Sequence, residues 1–446
     1  MLQTLFYIPS HLPGGMPVFG FGLLLAVWAA FCAGFFGWLV WRQGFNADTW
    51  SYLPIFLLVA AVIVWLLPAL GKGDRGLPIH GYGVMVLAAV LSGAGLAGYR
   101  ARRVGVSPDL IFSAIFWMVV PGILGARSFY VTQYWSKEYW PVYELQGLKS
   151  LLWSVVNISE GGLVVFGGFF GGMAGLLLFV RKYRVPLLPL MDLLAPSMML
   201  GLALGRVGCL LNGCCFGGVC HHGPAICFPA SSPFDETQIA ARADDIPDRI
   251  PAYDSQVELG QFYGFTLSSN ENAEPKILSV EKNSLAEKKG MKAGERIEKI
   301  GGETVRTAGQ AHDLLRELFY RKLPVKIETA ASETIALPAL DPLPSRSLPV
   351  YPTQLYSTID ALIIGLLLLA YDPFRRRDGE LFAIMATIYP VTRFLIEILR
   401  NDEALLRGIG LTISQSVSLL ILLGTACLWY YLWKQPKGFA FGKKGD

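Results

Sequence analysis

Four charged side chains stand out within or at the ends of stretches otherwise fit for a lipid interior: Arg127, Arg206, Arg393 and Glu397. Charge in such a segment is costly and usually functional. Arg393 and Glu397 are i, i+4, so a helix puts both on one face, with Tyr389 one turn earlier. A single glutamate balances a single arginine. The remaining guanidiniums are then free to meet an external anion, and their planar forks of N–H donors suit phosphate. The chemistry implied is the binding of an anionic lipid headgroup. An internal ion pair that orients helices is the plainer alternative.

A second concentration of reactive groups lies in Gly205-Arg-Val-Gly-Cys-Leu-Leu-Asn-Gly-Cys-Cys-Phe-Gly217 and just beyond. Cys209, Cys214, Cys215, Cys220 and Cys227 fall within 19 residues, with His221 and His222 beside them. Zinc takes such ligands, but the spacing matches no finger or ribbon. Disulfides or free buried thiols rank above a metal. The sequence calls for no metal and no cofactor.

These residues need membrane helices to position them. The chain has 446 residues, of which 53% are hydrophobic and 16% charged, with mean hydropathy +0.44. Soluble domains carry about 25% charged residues, so a soluble enzyme, a coiled coil and a disordered scaffold are disfavoured. A net charge of +4 is too small to argue for nucleic acid. The expected fold class is mainly α, a polytopic bundle of about nine spans: 17–40, 53–70, 80–99, 109–133, 161–180, 187–205, 353–371, 380–399 and 411–433. Met1–Met16 lacks the basic start of a signal peptide. Basic runs at Arg100–Arg103, Arg181–Arg184, Arg375–Arg377 and Lys434–Lys444 mark the cytoplasmic side. The opposite loops hold fewer charges, such as Lys72, Arg75 and Arg400. The N-terminus then lies outside and the C-terminus inside.

Residues 232–345 are polar, have Pro-rich borders and no membrane-length apolar run, and so read as an inserted soluble domain on the outer face. Gly15-Met-Pro-Val-Phe-Gly-Phe-Gly22 recurs as Gly76-Leu-Pro-Ile-His-Gly-Tyr-Gly83, a duplicated helix entry. Gly161, Gly162, Gly167, Gly168, Gly171, Gly172 and Gly175 crowd one span, and pairs four apart permit close helix packing. Aromatic residues between Phe129 and Trp153 suggest an arm in the headgroup layer.

Seven pieces recur in a telling order. They are Pro78-Ile-His-Gly-Tyr82-Gly, Gly125-Ala-Arg127 with Tyr130, Gly161-Gly-Leu-Val-Val-Phe166-Gly-Gly and Asp192-Leu-Leu-Ala-Pro196. Gly205-Arg206-Val-Gly with Asn212-Gly213, Tyr351-Pro-Thr-Gln-Leu-Tyr356, and Tyr389 with Arg393 and Glu397 follow. Together they resemble the prolipoprotein diacylglyceryl transferase family, bacterial membrane enzymes of lipoprotein maturation, over about 76–230 and 346–400. The resemblance implies transfer of a diacylglyceryl group from phosphatidylglycerol to the lipobox cysteine thiol of a prolipoprotein, in the bacterial cytoplasmic (inner) membrane. It also implies Arg206, Arg393, Glu397 and Tyr82 as catalytic residues. Arg206, Arg393, Tyr389, Asn212, Gly217 and Arg127 are the implied substrate-binding set.

The chain departs from that pattern where protons are handled. Phe166 stands where many members have histidine, the favoured general base. Cys209 and Cys214 replace a common Asn and Glu, and Tyr351 and Ser357 a common His and Glu. An inactive lipid-binding scaffold is the alternative that these departures support.

Within the insertion, about 258–332 resembles a PDZ domain: Tyr263-Gly-Phe-Thr-Leu267, Ser284-Leu-Ala286, Gly294-Glu-Arg-Ile297, then a helix from Ala311 to Phe319 and a strand at Val325-Lys-Ile327. The resemblance implies peptide binding at Tyr263, Gly264 and Phe265, and a peptide or protein ligand. The expected organisation is two extra helices over 1–75, transferase membrane parts over 76–231 and 346–446, and the insertion between them.

Overall fold

A computed structural model of the chain describes residues 3–12, 14–44, 50, 53–70, 76–157, 162, 164–231, 250–330, 334–400 and 410–441. Expectations that rest on Lys72, Arg75, Gly161, Lys443 and Lys444 lie outside the described residues. The chain divides into two units, Leu2–Gly83 and Val84–Asp446.

In the first unit, strand β1 (Thr4–Ile8) precedes helix α1 (Leu23–Gln43), helix α2 (Leu53–Ala61), a π turn over Val62–Leu66 and helix α3 (Leu67–Leu70). Strand β2 (Leu77–His80) returns antiparallel to β1, with Ile8 opposite Leu77. Aromatic packing joins α1 to α2: Trp28 and Phe35 both meet Phe56 edge-on. Both copies of the repeat lead into a helix, at Leu23 and at Gly81, although the second copy first forms β2. At Gly22 a Cβ would lie 2.0 Å from the Pro17 carbonyl oxygen, so the first entry turn has no room for a side chain.

Helix α4 (Gly81–Arg103) leads into the second unit. Helix α5 (Pro108–Tyr134) starts at a Ser107 cap, whose Oγ accepts from Asp109 N. A π turn over Trp135–Tyr139 passes into helix α6 (Trp140–Val156). Helices α7 (Val165–Tyr183) and α8 (Leu187–Asn212) follow. The glycines of α7 act in packing: a Cβ on Gly167 would lie 2.3 Å from Gly125 O, one on Gly171 2.1 Å from Pro121 O, and one on Gly175 1.8 Å from Trp117 O. Backbone therefore meets backbone where α5 and α7 cross.

The insertion comprises α9 (Pro251–Glu258), β3 (Phe265–Leu267), β4 (Ile277–Val280), α10 (Leu285–Lys288), β5 (Ile297–Ile300), β6 (Glu303–Thr304), α11 (Ala308–Tyr320), β7 (Val325–Thr329) and β8 (Thr334–Leu337). The chain then returns to long helices: α12 (Thr353–Tyr371), α13 (Glu380–Glu397) and α14 (Ile413–Lys434). Helix occupies the greater part of each expected span among the described residues, although the first starts only at Leu23 and the fifth at Val165. Among the described residues, six helices are long and apolar enough to cross a membrane: Leu23–Arg42, Gly81–Arg103, Pro108–Tyr134, Leu187–Asn212, Thr353–Phe374 and Ile413–Lys434. Of the other three, the segment Leu53–Leu70 is broken by its π turn, Val165–Tyr183 is glycine-dense, and Glu380–Glu397 carries three charged residues. The chain is a multi-pass helical membrane protein.

Helix α8 is the central member, with 61% of its apolar stretch buried against at most 33% for the others. One end of it is locked by charge. Asp192, fully buried, accepts from Gly379 N at 2.7 Å and Phe382 N at 2.9 Å, and pairs with Arg375 at 3.2 Å. A carboxylate on the first N–H groups of α13 satisfies donors that the helix itself cannot. Arg100 reaches the carbonyls of Asp192 and Leu193 and pairs with Asp372 at 3.1 Å.

The insertion has its own core. Sheet β6-β5-β7-β8 and ribbon β3-β4 pack with α11 around Phe265, Leu267, Ile277, Ile297, Ile300, Leu315, Phe319 and Ile327. Helix α11 shows why: Ala308, Ala311, His312, Leu315 and Phe319 fall on one face and all are buried. The same core draws in Ala230 and Tyr253, so it reaches beyond the stretch that resembles a PDZ domain.

Candidate functional site

The far end of α8 carries the reactive residues. Gly213 closes the helix in the left-handed region at φ 74°, and a Cβ there would lie 2.2 Å from Ile250 Cγ2. Cys214 N then returns to Cys209 O at 3.1 Å. Cys215 is also left-handed, at φ 58°. Two such residues in three fold the chain back on the last helical turn. The Sγ atoms of Cys209, Cys214 and Cys215 consequently lie within 4.8 Å of one another.

The start of α12 holds this loop. Thr353 Oγ1 donates to Cys215 O and Gln354 Nε2 to Cys214 O, each at 2.7 Å. Both side chains belong to buried residues. Gly217 N donates to Tyr351 O at 2.9 Å, and Gly218 N to Leu399 O at 3.0 Å. Gly217 sits where the chain segments crowd together: a Cβ would meet Tyr351 Cβ at 2.7 Å and Leu399 O at 2.8 Å. The loop is thus tied to the start of α12 and to the end of α13.

Charge converges on the same place. Arg393 Nη1 and Glu397 Oε2 form the expected i, i+4 ion pair, and Glu397 is buried. Arg393 Nη2 also donates to Ser414 Oγ at 3.1 Å, on α14. That helix begins with a capping box between Thr412 and Gln415. Arg400, one turn beyond Glu397, brings its Nε to 3.9 Å from Glu397 Oε2. One carboxylate therefore serves two guanidiniums. Arg206, one turn before Cys209 on α8, has Tyr389, Cys215, Cys209 and Arg400 as its charged or polar electrostatic neighbours. The structure brings Arg206, Tyr389, Arg393 and Glu397 into one neighbourhood, together with Arg400, Thr353 and Gln354. Arg400 also carries a sequence signal: it lies seven residues after Arg393, two helical turns on.

The remaining expected residues are placed differently. Arg127 donates to four backbone carbonyls, those of Val155, Gly162, Ser154 and Asn157, at 2.6–2.9 Å. It also stacks over Tyr130 and Tyr139. Four of its contacts are thus with backbone oxygens at and beyond the end of α6. Asn212 ends α8, half-buried. Phe166 is exposed in the first turn of α7. Tyr82 is exposed on the first turn of α4 and belongs to the Leu2–Gly83 unit.

In the insertion, Tyr263 and Phe265 are buried, and Gly264 is left-handed at φ 85°. Tyr263 N donates to Gly260 O and Gly264 N to Gln261 O, inside a 3-10 turn over Gln261–Tyr263. Leu267 N, further along β3, donates to Leu259 O at 3.0 Å. Two of the three amides at the expected peptide site therefore donate within the turn that follows α9. Burial pushes the Tyr263 hydroxyl up to about 12. The Glu258 carboxyl is pushed up to about 7 by burial, opposed by Arg316 and reinforced by Asp254. A cavity of about 970 Å³ separates this domain from the charged cluster, with Thr266, Ser279 and Glu281 on one wall and Glu397, Arg400 and Gln415 on the other.

With the geometry established, comparison with known proteins is informative. The family model described as prolipoprotein diacylglyceryl transferase matches residues 73–281 and 294–431. A protein of Rhodopirellula baltica named phosphatidylglycerol–prolipoprotein diacylglyceryl transferase is 31% identical over 97% of this chain and 90% of its own length. A second so-named transferase, from Clostridium perfringens, is 24% identical over 79% of this chain and 91% of its own. One from Trichormus variabilis is 38% identical over 31% of this chain and 46% of its own.

Proposed function

The chain belongs to the prolipoprotein diacylglyceryl transferase family and is an enzyme of that kind; from that premise we propose how its own residues carry the reaction. The lipid substrate is phosphatidylglycerol, its phosphate held by Arg206 and Arg393. The acceptor is a lipobox cysteine thiol, with the site at the outer face of the bacterial inner membrane. The observation that supports this reading is the convergence of guanidiniums: Arg393 and Arg400 both lie at Glu397, and Arg400 is also an electrostatic neighbour of Arg206. Guanidinium forks grouped in this way suit a phosphate headgroup.

In the reaction the acceptor sulfur forms a bond to a glycerol carbon as the bond from that carbon to the phosphate oxygen breaks. The electron pair departs with that oxygen, and charge accumulates on the leaving glycerol phosphate. Guanidiniums fixed in place before the reaction stabilise that charge without reorganisation. Glu397 orients Arg393, and Ser414 holds its second nitrogen. Thr353 and Gln354 keep the Cys214–Cys215 loop against Arg206. The cavity of about 970 Å³ is the proposed passage for the mature part of the prolipoprotein, between the insertion and the charged cluster.

Purified protein, phosphatidylglycerol and a lipobox peptide test this directly, with the peptide's mass as readout. A diacylglyceryl mass gain that disappears with Arg206→Ala, and with a Ser-for-Cys peptide, is expected. No gain, with phosphatidylglycerol still bound through Arg206, would turn the reading to a lipid-binding scaffold.

A further inference from the structure

Building on the transferase reading, we propose that Cys209, Cys214 and Cys215 form a three-thiolate zinc site whose fourth position takes the acceptor thiol of the prolipoprotein. Their Sγ atoms lie within 4.8 Å of one another. Zinc–sulfur bonds of about 2.3 Å put the sulfurs of a tetrahedral site about 3.8 Å apart. Small side-chain adjustments on the existing backbone therefore close the site. That backbone is already committed, by left-handed residues at Gly213 and Cys215 and by the Thr353 and Gln354 donors on two of the three cysteine carbonyls.

The charges fit as well. Three thiolates around Zn²⁺ carry a net negative charge, and a fourth thiolate adds another. Cys215 has both Arg400 and Arg206 as electrostatic neighbours. These guanidiniums offset the charge while the sulfurs remain thiolate. Soft thiolate sets select zinc over hard cations, and three protein ligands with one open position is the pattern of catalytic rather than structural zinc.

The open position answers a chemical need of this chain. Phe166 stands where a histidine base is common in the family, and phenylalanine accepts no proton. A thiol bound to zinc is deprotonated outright. The acceptor thiol would enter the fourth position and release its proton to solvent. Its lone pair then makes the carbon–sulfur bond as the carbon–oxygen bond to phosphate breaks. The thioether product is a weaker ligand than the thiolate and leaves. Zinc does not change oxidation state, and no other reactant is required.

The test measures metal and transfer on the same full-length preparations. Elemental analysis should find about one zinc per chain in the wild type and little in Cys209→Ser, Cys214→Ser or Cys215→Ser. Cobalt exchanged into the wild type should show sulfur-to-metal charge-transfer absorption, a readout that does not depend on a variant folding. Chelation should lower transfer at least tenfold, and added zinc should restore it. Transfer that proceeds at full rate without metal would overturn the proposal and leave the transferase reading standing. A disulfide among the three cysteines in active protein, found by mass spectrometry under non-reducing conditions, would overturn it too. Bound zinc whose removal leaves transfer unchanged would do the same. Absence of transfer under every condition, with zinc bound, would count against the transferase reading instead.

Discussion

Gln354 Nε2 donates to the carbonyl oxygen of Cys214 across 2.7 Å and 140 residues of chain. The bond brings the start of α12 to the end of α8, and with Thr353 it sets where the cysteines sit relative to Arg206. A buried carbonyl that loses its donor costs about 1–3 kcal/mol. Gln354→Leu should therefore lower kcat/KM for lipid transfer by about 5–150-fold. Gln354→Glu, which presents no amide donor when ionised, should do no better. Steady-state transfer with the lipobox peptide checks both.

Arg393 and Glu397 are coupled in a buried pair. Removing one partner of a buried pair costs about 3–5 kcal/mol when it strands the other charge, and here Arg400 beside Glu397 and Ser414 at Arg393 soften that loss. Arg393→Ala and Glu397→Ala should each lower the thermal midpoint in detergent. The double variant should lose less than the sum of the two, as interacting neighbours do. Strict additivity would show that the pair contributes no coupling.

Neighbouring glycines of α7 should differ in tolerance. At Gly171 a Cβ would lie 2.1 Å from Pro121 O, but at Gly168 its nearest neighbour is 3.6 Å away, at Ala126 Cβ. Gly171→Ala should force α5 and α7 apart and cost about 1–3 kcal/mol or more. Gly168→Ala should be close to neutral. Yield of monodisperse protein and its thermal midpoint distinguish the two.

The Glu258 carboxyl, raised to about 7 by burial, makes the insertion sensitive to pH. An unfolded glutamate titrates near 4.3. Between these values the folded state holds more protons than the unfolded one, so stability falls as pH rises through the window. The contribution is fully present below the unfolded value and lost above the folded one. Hydrogen exchange on α9 and α11 in the intact protein should therefore accelerate more from pH 5 to pH 7.5 than intrinsic exchange chemistry requires. Glu258→Gln should remove that excess.

The local chemistry of the chain was enough for much of this. Apolar blocks of about 20 residues have few uses other than crossing a bilayer, so the helices were legible from composition and length. Arg393 and Glu397 were legible as a pair because helical periodicity alone brings i and i+4 together. The motif order disclosed the family, and glycines four apart disclosed a close helix crossing. Arrangements that join distant parts of the chain were not legible. Arg127 looked like a headgroup ligand because its type was visible, but the carbonyls that use its donors were not. Arg400 looked like a loop charge until the end of α13 brought it to Glu397. The amides of Tyr263 and Gly264 looked free until the turn after α9 took them up. Whether Cys209, Cys214 and Cys215 met at all depended on two left-handed residues and on donors from α12. Residue type determines what a group is able to do, and periodicity determines its neighbours along one element. Which partner satisfies a buried donor or charge is decided only when the elements pack, because each such group costs free energy until tertiary structure supplies that partner.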